Sequence, residues 1–305
     1  MKVYLTKINE SWIIDRIRKE WYSTNSSIST KYGFRSDIVW MIAPWTWKKI
    51  SVNLLETKKV VCSIYHIDQE KFNQQQIEEF TQRDKYIDHY HTISNLSKEK
   101  IQEYTNKEIK VIPFWANQKN WYFIKNKENL RKKFGFSTEN FLIGSFQRDT
   151  EGYDLKSPKL EKGPDIFFKQ VEKLYQRNKN SIVVLTGKRR QYLISQLEKN
   201  SIPYRYFEMV SIKELNELYN ILNLYIVSSR TEGGPQAIVE CGLTKTPIIS
   251  TNVGYAPMFM SKESIYDEDT FFSSEPNVDF LYDNVKNLTI PNGMEEFKKM
   301  FFDVL

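Results

Sequence analysis

Residues 227–240 combine two adjacent glycines, a proline and two carboxylates between an apolar run and a helical pattern. Gly233 and Gly234 let the backbone approach a ligand closely, and Pro235 suits the first position of a helix. Free backbone amides and the helix dipole attract an anion at such a helix start. The segment therefore predicts a diphosphate-binding loop, with Gln236 beside it.

Two carboxylates, Glu232 and Glu240, stand eight positions apart in this segment. A carboxylate beside a diphosphate is repulsive unless it accepts hydrogen bonds from neutral hydroxyls, which sugar and ribose groups supply. On spacing alone, the alternative is a solvated loop residue at Glu232 and an exposed helix residue at Glu240.

The Glu, seven residues, Glu pattern after Ser228 and Ser229 resembles the signature of the family-four retaining glycosyltransferases. The resemblance implies that Glu232 lies by a donor sugar and Glu240 holds the nucleotide ribose. The chain departs from the family where Gly234, Pro235 and Gln236 replace a Gly-Phe-Gly-like stretch, and where Thr246 replaces a Gly before Pro247. These departures leave the donor open between UDP and GDP sugars.

A second match to that family begins at Gly144 and Ser145 and runs to Arg148, with Lys162 before a predicted helix. Family members place such an Arg and Lys on the donor diphosphate. Arg offers forked donors and Lys a compact charge, so the pair can neutralise a leaving group without a metal. Lys156 and Lys159 are alternatives to Lys162, because a polar insert separates the two parts of the match.

Weaker candidates follow other predicted strands. His66 ends the run at 60–65, where the family often carries a His near the donor sugar, although a lone His more often packs or caps. Gly187 closes the strand at 181–186 and could add to the phosphate site. Met209 lies in a stretch that resembles the family's nucleobase contact, with a core position as its alternative.

The composition of the chain argues against several classes of partner and ligand. The 305 residues are 40% hydrophobic and carry a formal charge of +6 without a concentrated basic stripe, so a nucleic-acid partner is not expected. Cys62 and Cys241 cannot form a zinc site, and His89 and His91 lack a third histidine nearby, so neither metal nor cofactor is predicted. No signal-like or membrane-spanning run is present, which predicts a cytoplasmic protein; peripheral contact with an acidic membrane surface stays open.

The elements that must position these residues alternate between strands and helices. This alternation predicts parallel sheets, and the length predicts two domains, at 1–115 and 116–292. A helix at 293–305 has an apolar face that could complete the first domain. The resemblance implies a GT-B fold, with two Rossmann-like, doubly wound domains facing across a cleft.

The predicted function is transfer of a sugar from a nucleotide diphosphate donor to an acceptor hydroxyl, with retention and without metal. One alternative is a nucleotide-sugar epimerase on the same fold. Another is a non-catalytic nucleotide-sugar-binding module, because Asn9, Glu10 and Ser11 replace the family's glycine-rich loop after the first strand. The acceptor, whether glycan, lipid or small molecule, is not identified by the sequence.

Overall fold

A computed structural model describes residues 1–7, 13–68 and 72–305. Residues 8–12, which include the Asn9, Glu10 and Ser11 that replace the family's glycine-rich loop, lie outside the described residues. The chain divides into two compact units, Met1–Trp115 with Ile290–Leu305, and Ala116–Thr289.

The first unit contains a parallel sheet whose described strands follow sequence order, β1-β2-β3-β4-β5. Apolar and β-branched residues fill these strands, and β2 is buried along its whole length. The order does not reverse among the described strands of this sheet. The doubly wound order, which was predicted for both halves, is therefore found in the second unit and not among these strands. The elements of the first unit are β1 Val3–Leu5, α1 Ile13–Thr24, β2 Ile38–Met41, α2 Val52–Thr57, β3 Lys59–Ser63, α3 Gln74–Asp84, β4 His89–Thr92, α4 Asn95–Gln102 and β5 Ile109–Val111.

An aromatic core joins the end of the chain to this first unit. The C-terminal helix, Glu295–Asp303, places Phe297 and Phe301 with ring centroids 5.2 Å from that of Trp40. Trp115 packs against Phe297 at 5.3 Å. Aromatic pairs at these separations add to the free energy gained from burying the rings.

The second unit contains a parallel sheet in the order β10-β9-β6-β11-β12. The order reverses at β6, which makes the carboxyl ends of β6 and its neighbours the expected ligand site of a doubly wound sheet. The elements of this unit are α5 Lys127–Lys133, β6 Phe141–Ser145, β7 Thr150–Glu151, β8 Ser157–Pro158, α6 Pro164–Arg177, β9 Ser181–Thr186, α7 Gln191–Lys199, β10 Tyr204–Phe207, α8 Ile212–Ile221, β11 Leu224–Val227, α9 Gln236–Thr244, β12 Ile248–Ser250, α10 Ala256–Phe259 and α11 Val278–Val285.

Candidate active site

Two loops that carry predicted site residues leave neighbouring strands at the reversal of strand order. β6 and β11 pair in parallel, with Gly144 opposite Tyr225. The loop after β6 carries Gln147 and Arg148, and the loop after β11 carries residues 228–235. Because both strands end at the same edge of the sheet, their loops meet there.

Lys162 and Glu232 form an ion pair at this edge. The Lys162 Nζ lies 2.7 Å from Glu232 Oε1, and the two side chains are 21% and 19% exposed. The Ser229 hydroxyl donates to the other carboxylate oxygen, Glu232 Oε2, at 2.8 Å. Glu232 is therefore a half-buried, paired carboxylate rather than the solvated loop residue of the alternative interpretation.

The turn that carries Lys162 is fixed by close backbone packing. Gly163 has φ +58°, and a Cβ there would lie 1.8 Å from the carbonyl oxygen of Ser228. The carbonyl of Lys162 accepts from Gln147 Nε2 at 3.0 Å and from the Ser228 hydroxyl at 3.2 Å. A glycine is thus required between Lys162 and helix α6.

The two alternative lysines have other surroundings. Lys159 Nζ lies 2.5 Å from Glu161, and Lys156 is exposed beside the β7–β8 hairpin. This hairpin forms part of the segment that the sequence indicates only as a polar insert. Of the three lysines, Lys162 is the one that the structure brings to Glu232.

The predicted diphosphate loop packs against the segment that follows β12. Gly254 has φ +45°, and a Cβ there would lie 2.5 Å from the Gly233 carbonyl oxygen and 2.7 Å from the Gly234 nitrogen. Pro235 caps helix α9, so the helix begins at Gln236, one position later than predicted. The close contact fixes the glycine backbone just before the positive end of a helix dipole, where an anion is stabilised.

Glu240 lies on the inner side of α9. It is 8% exposed, which excludes the exposed helix position of the alternative interpretation. The Tyr219 hydroxyl donates to Glu240 Oε2 at 2.8 Å. Burial, and then the nearby Glu240, raise the pKa of Tyr219 well above its ordinary value, so the phenol keeps its proton and remains a donor.

Arg148 is half-buried, and its Nε donates to the Thr150 carbonyl at 3.1 Å. The next residue, Asp149, forms a buried ion pair with Arg190, whose Nε lies 2.5 Å from Asp149 Oδ2. Burial raises the pKa of Asp149, and the Arg190 charge opposes that shift. The pair fixes the end of the loop that carries Arg148, just before β7.

Arg190 also joins two strands of the sheet. Its Nη1 donates to the carbonyls of Ser145, at 2.7 Å, and Thr186, at 2.9 Å, where β6 and β9 end. This role could not be predicted because Asp149 and Arg190 are 41 residues apart, and the helical pattern after Arg190 fits a solvated helix start equally well. Opposite charges at the same place after two central strands, four positions beyond Ser145 and Thr186, are the signal that could have indicated it.

The remaining candidates occupy different positions. Ser145 is buried at the end of β6, and Gly187, with φ +88°, accepts at its carbonyl from the Tyr206 hydroxyl at 2.9 Å. Met209 is 68% exposed, so a core position for it is wrong. His66 is exposed and follows β3 in the first unit, whereas the other candidates belong to the second unit.

Within residues 1–7, 13–68 and 72–305, no group of three or more His, Cys, Asp or Glu side chains could hold a metal ion. The same part of the chain contains no helix long and apolar enough to cross a membrane.

Most of the second unit is similar to a known protein family. Residues 154–288 match the family model described as "Glycosyl transferases group 1". This match confirms the predicted resemblance to glycosyltransferases over that part of the chain. Among curated protein sequences, none matches the chain significantly.

Several solved structures resemble almost the whole chain at low sequence identity. HepE from Anabaena, in complex with UDP-glucose, is 12% identical with a TM-score of 0.78 over 99% of both chains. Sucrose-phosphate synthase from Thermosynechococcus elongatus is 12% identical with a TM-score of 0.70, over 98% of this chain and 80% of that chain. A glycosyltransferase from Rickettsia africae is 14% identical with a TM-score of 0.62, over 98% of this chain and 84% of that chain. These likenesses confirm the predicted GT-B fold class.

Proposed function

We propose, from the match of residues 154–288 to the group 1 glycosyltransferases, that this chain transfers a sugar from a nucleoside diphosphate donor to an acceptor hydroxyl. The observation that carries the proposal is the Lys162–Glu232 pair at the reversal point of the second sheet. A cation for a departing diphosphate and a carboxylate for sugar hydroxyls lie side by side there.

Each site residue has a distinct proposed role. Arg148 and Lys162 bind the diphosphate and stabilise its charge as the bond to the sugar breaks. The amides near Gly233 and Gly234 assist them, because they lie at a helix N-terminus. Glu232 orients the sugar, and Glu240 accepts from the nucleotide ribose.

The proposed reaction is a direct attack by the acceptor and needs no nucleophile from the protein. The acceptor oxygen bonds to the anomeric carbon, the bond from that carbon to the diphosphate oxygen breaks, and the acceptor proton passes to a diphosphate oxygen. We propose that attack comes from the face that the diphosphate leaves, so that the product retains the donor's anomeric configuration. Arg148 and Lys162 supply the positive charge that a metal supplies in other transferases, so we also propose metal independence.

Donor consumption in the presence of EDTA tests this proposal. HepE is bound to UDP-glucose in its solved complex, so UDP-sugars are the first donors to try and GDP-sugars the second. Release of the nucleoside diphosphate, raised by simple alkyl glycoside acceptors, is the expected result, and Lys162→Ala should slow it about 100-fold. Release only after magnesium is added would refute metal independence, and no release under either condition would refute the activity.

The configuration of the product needs a separate measurement. Proton NMR of the purified glycoside gives the anomeric coupling constant, which distinguishes an α from a β linkage. An α-linked donor should yield an α-linked product. A β-linked product would refute retention while leaving glycosyl transfer intact.

A further inference from the structure

The Ser229 side chain contacts Oε2 of Glu232, whereas Lys162 contacts Oε1. Ser229 is fully buried, and its hydroxyl lies 2.8 Å from Glu232 Oε2 and 3.3 Å from Gln147 Oε1. A serine hydroxyl has one proton, so the shorter contact to a charged acceptor is the stronger bond. The two oxygens of Glu232 are thus each held by a protein donor, Oε1 by Lys162 and Oε2 by Ser229.

The orientation of Gln147 supports this assignment. The Lys162 carbonyl can only accept, so the Gln147 amide nitrogen must face it at 3.0 Å. The Gln147 oxygen therefore faces the Ser229 hydroxyl. The backbone of Ser229 is also fixed, because its carbonyl accepts from Thr251 Oγ1 at 2.6 Å.

We propose that Ser229 is a positioning residue, which sets the plane of the Glu232 carboxylate so that it accepts from the hydroxyls of the donor sugar. This inference rests on the proposed function. The other contact to Glu232 comes from Lys162, whose long side chain is flexible, so a hydrogen bond from a buried serine at the second oxygen is what holds the carboxylate in one orientation. Ser229 acts on recognition of the sugar, because Glu232 is the residue assigned to the sugar and Glu240 is the one assigned to the nucleotide.

Ser228 provides a matched control. It is the neighbouring serine, it is also fully buried, and its hydroxyl donates one bond, but to the Lys162 carbonyl at 3.2 Å rather than to a carboxylate. Gln147 still satisfies that carbonyl when the Ser228 hydroxyl is removed. Ser228→Ala and Ser229→Ala therefore delete the same hydroxyl group at adjacent buried positions. Of the two, Ser229→Ala is the one that removes a hydrogen bond to Glu232.

Calorimetric titration of the full chain separates recognition of the sugar from recognition of the nucleotide. Wild type is titrated with UDP-glucose, UDP-N-acetylglucosamine, UDP-galactose and GDP-mannose, and then with the nucleoside diphosphate of whichever sugar binds. The readout is the ratio of the diphosphate Kd to the nucleotide-sugar Kd. Ser229→Ala should lower this ratio about tenfold, the loss expected for one hydrogen bond to a charged group. Ser228→Ala should leave the ratio within about twofold.

Coupling to Glu232 provides a stricter test. In a Glu232→Ala background, Ser229→Ala should change the ratio no further, because the group it positions is absent. If Ser229→Ala fails to fold, Ser229→Cys fills the site with a slightly larger side chain that is a weaker donor, and it should lower the ratio by a smaller factor.

The outcomes distinguish the two proposals. If no nucleotide sugar binds wild type, the proposed function fails and this inference fails with it. If one binds and the Ser229 variants keep the wild-type ratio, the positioning role is refuted and the proposed function stands. An equal loss in the Glu232→Ala background would also refute it.

Discussion

The two carboxylates of the candidate site differ in their contacts. Glu232 is half-buried on a loop and paired with Lys162, whereas Glu240 is nearly buried on a helix and bonded to Tyr219. A carboxylate that pairs with a lysine lies beside a cation for phosphate, and one that accepts from a phenol at one oxygen is held in an orientation in which it can accept from other hydroxyls. This difference matches the proposed division between the sugar diphosphate and the ribose.

Variants of Glu240 and Arg148 should affect different kinetic constants. Glu240→Ala removes a contact made throughout binding, so it should raise the donor KM and the nucleotide Kd about tenfold or more. Arg148→Ala removes charge stabilisation that increases as the diphosphate leaves, so it should chiefly lower kcat. Steady-state kinetics measure both constants, and unchanged kinetics in both variants would contradict the site assignment.

Tyr219→Phe should weaken nucleotide binding by about fivefold, because Glu240 loses the donor that orients one oxygen. Tyr90→Phe is the matched control, since Tyr90 is also buried and its hydroxyl donates to a carboxylate, Asp84, at 2.8 Å in the first unit. Titration with a nucleoside diphosphate should show a loss for the first variant and none for the second. Equal affinities would show that Glu240 needs no orientation by Tyr219.

At the scale of elements, the central strands could be predicted and the connections could not. β9 Ser181–Thr186 matches the predicted strand at 181–186 because a continuous apolar run marks a buried parallel strand. The hairpin of β7 and β8 has two residues in each strand, too few for a periodic pattern. Helix α5 Lys127–Lys133 is short and rich in charge, so no apolar periodicity indicates it.

The candidate site shows the same limit. The residue types at Lys162 and Glu232 could be identified from motif and resemblance, because each follows a strand and precedes a helix. Their pairing at 2.7 Å, the Ser229 contact and the Asp149–Arg190 pair depend on which strands are neighbours in the sheet. Sequence patterns do not carry that information.

We expect alanine substitution to lower the free energy of unfolding by different amounts at two glycines of positive φ, one of them in the turn before α6. Gly163→Ala should destabilise the protein by about 3 kcal/mol or more, because its Cβ would overlap the Ser228 carbonyl. Gly135 has φ +74°, and a Cβ there would have Arg205 Nη2 as its nearest neighbour, at 3.4 Å. Gly135→Ala should therefore cost only about 1 kcal/mol, from backbone strain. Urea unfolding measures both, and similar losses would contradict the close packing at Gly163.

At the scale of the whole molecule, the second unit carries most candidate site residues, and the first unit has a distinctive polar contact in its core. His91 Nε2 donates to the Ile112 carbonyl at 2.8 Å, and Nδ1 accepts from the Ser63 hydroxyl at 2.8 Å. Ser63 in turn accepts from Trp40 Nε1 at 2.8 Å. This arrangement satisfies both nitrogens of a neutral imidazole.

The stability of the first unit should therefore fall with mild acid. Burial lowers the pKa of His91 from 6.5 to about 4. Above pH 6.5 the imidazole is neutral in both states; as the pH falls toward 4, the unfolded chain binds the proton first and stability is lost. Between pH 7 and pH 5 this amounts to about 2 kcal/mol. Over this pH range, the free energy of unfolding measured in urea should fall by about 2 kcal/mol less in His91→Gln than in wild type. An equal fall in both proteins would refute a buried neutral His91.

A thermal-shift screen in EDTA measures whether the site of the second unit binds a nucleotide sugar. A ligand that binds only the folded state raises its melting temperature. We expect one UDP- or GDP-sugar to raise the melting temperature of wild type by roughly 5 °C or more at 100 times its Kd, and Glu240→Ala, with a Kd about tenfold higher, to show about half that shift at the same concentration. No shift with any nucleotide sugar, with or without magnesium, would show that the second unit does not bind one.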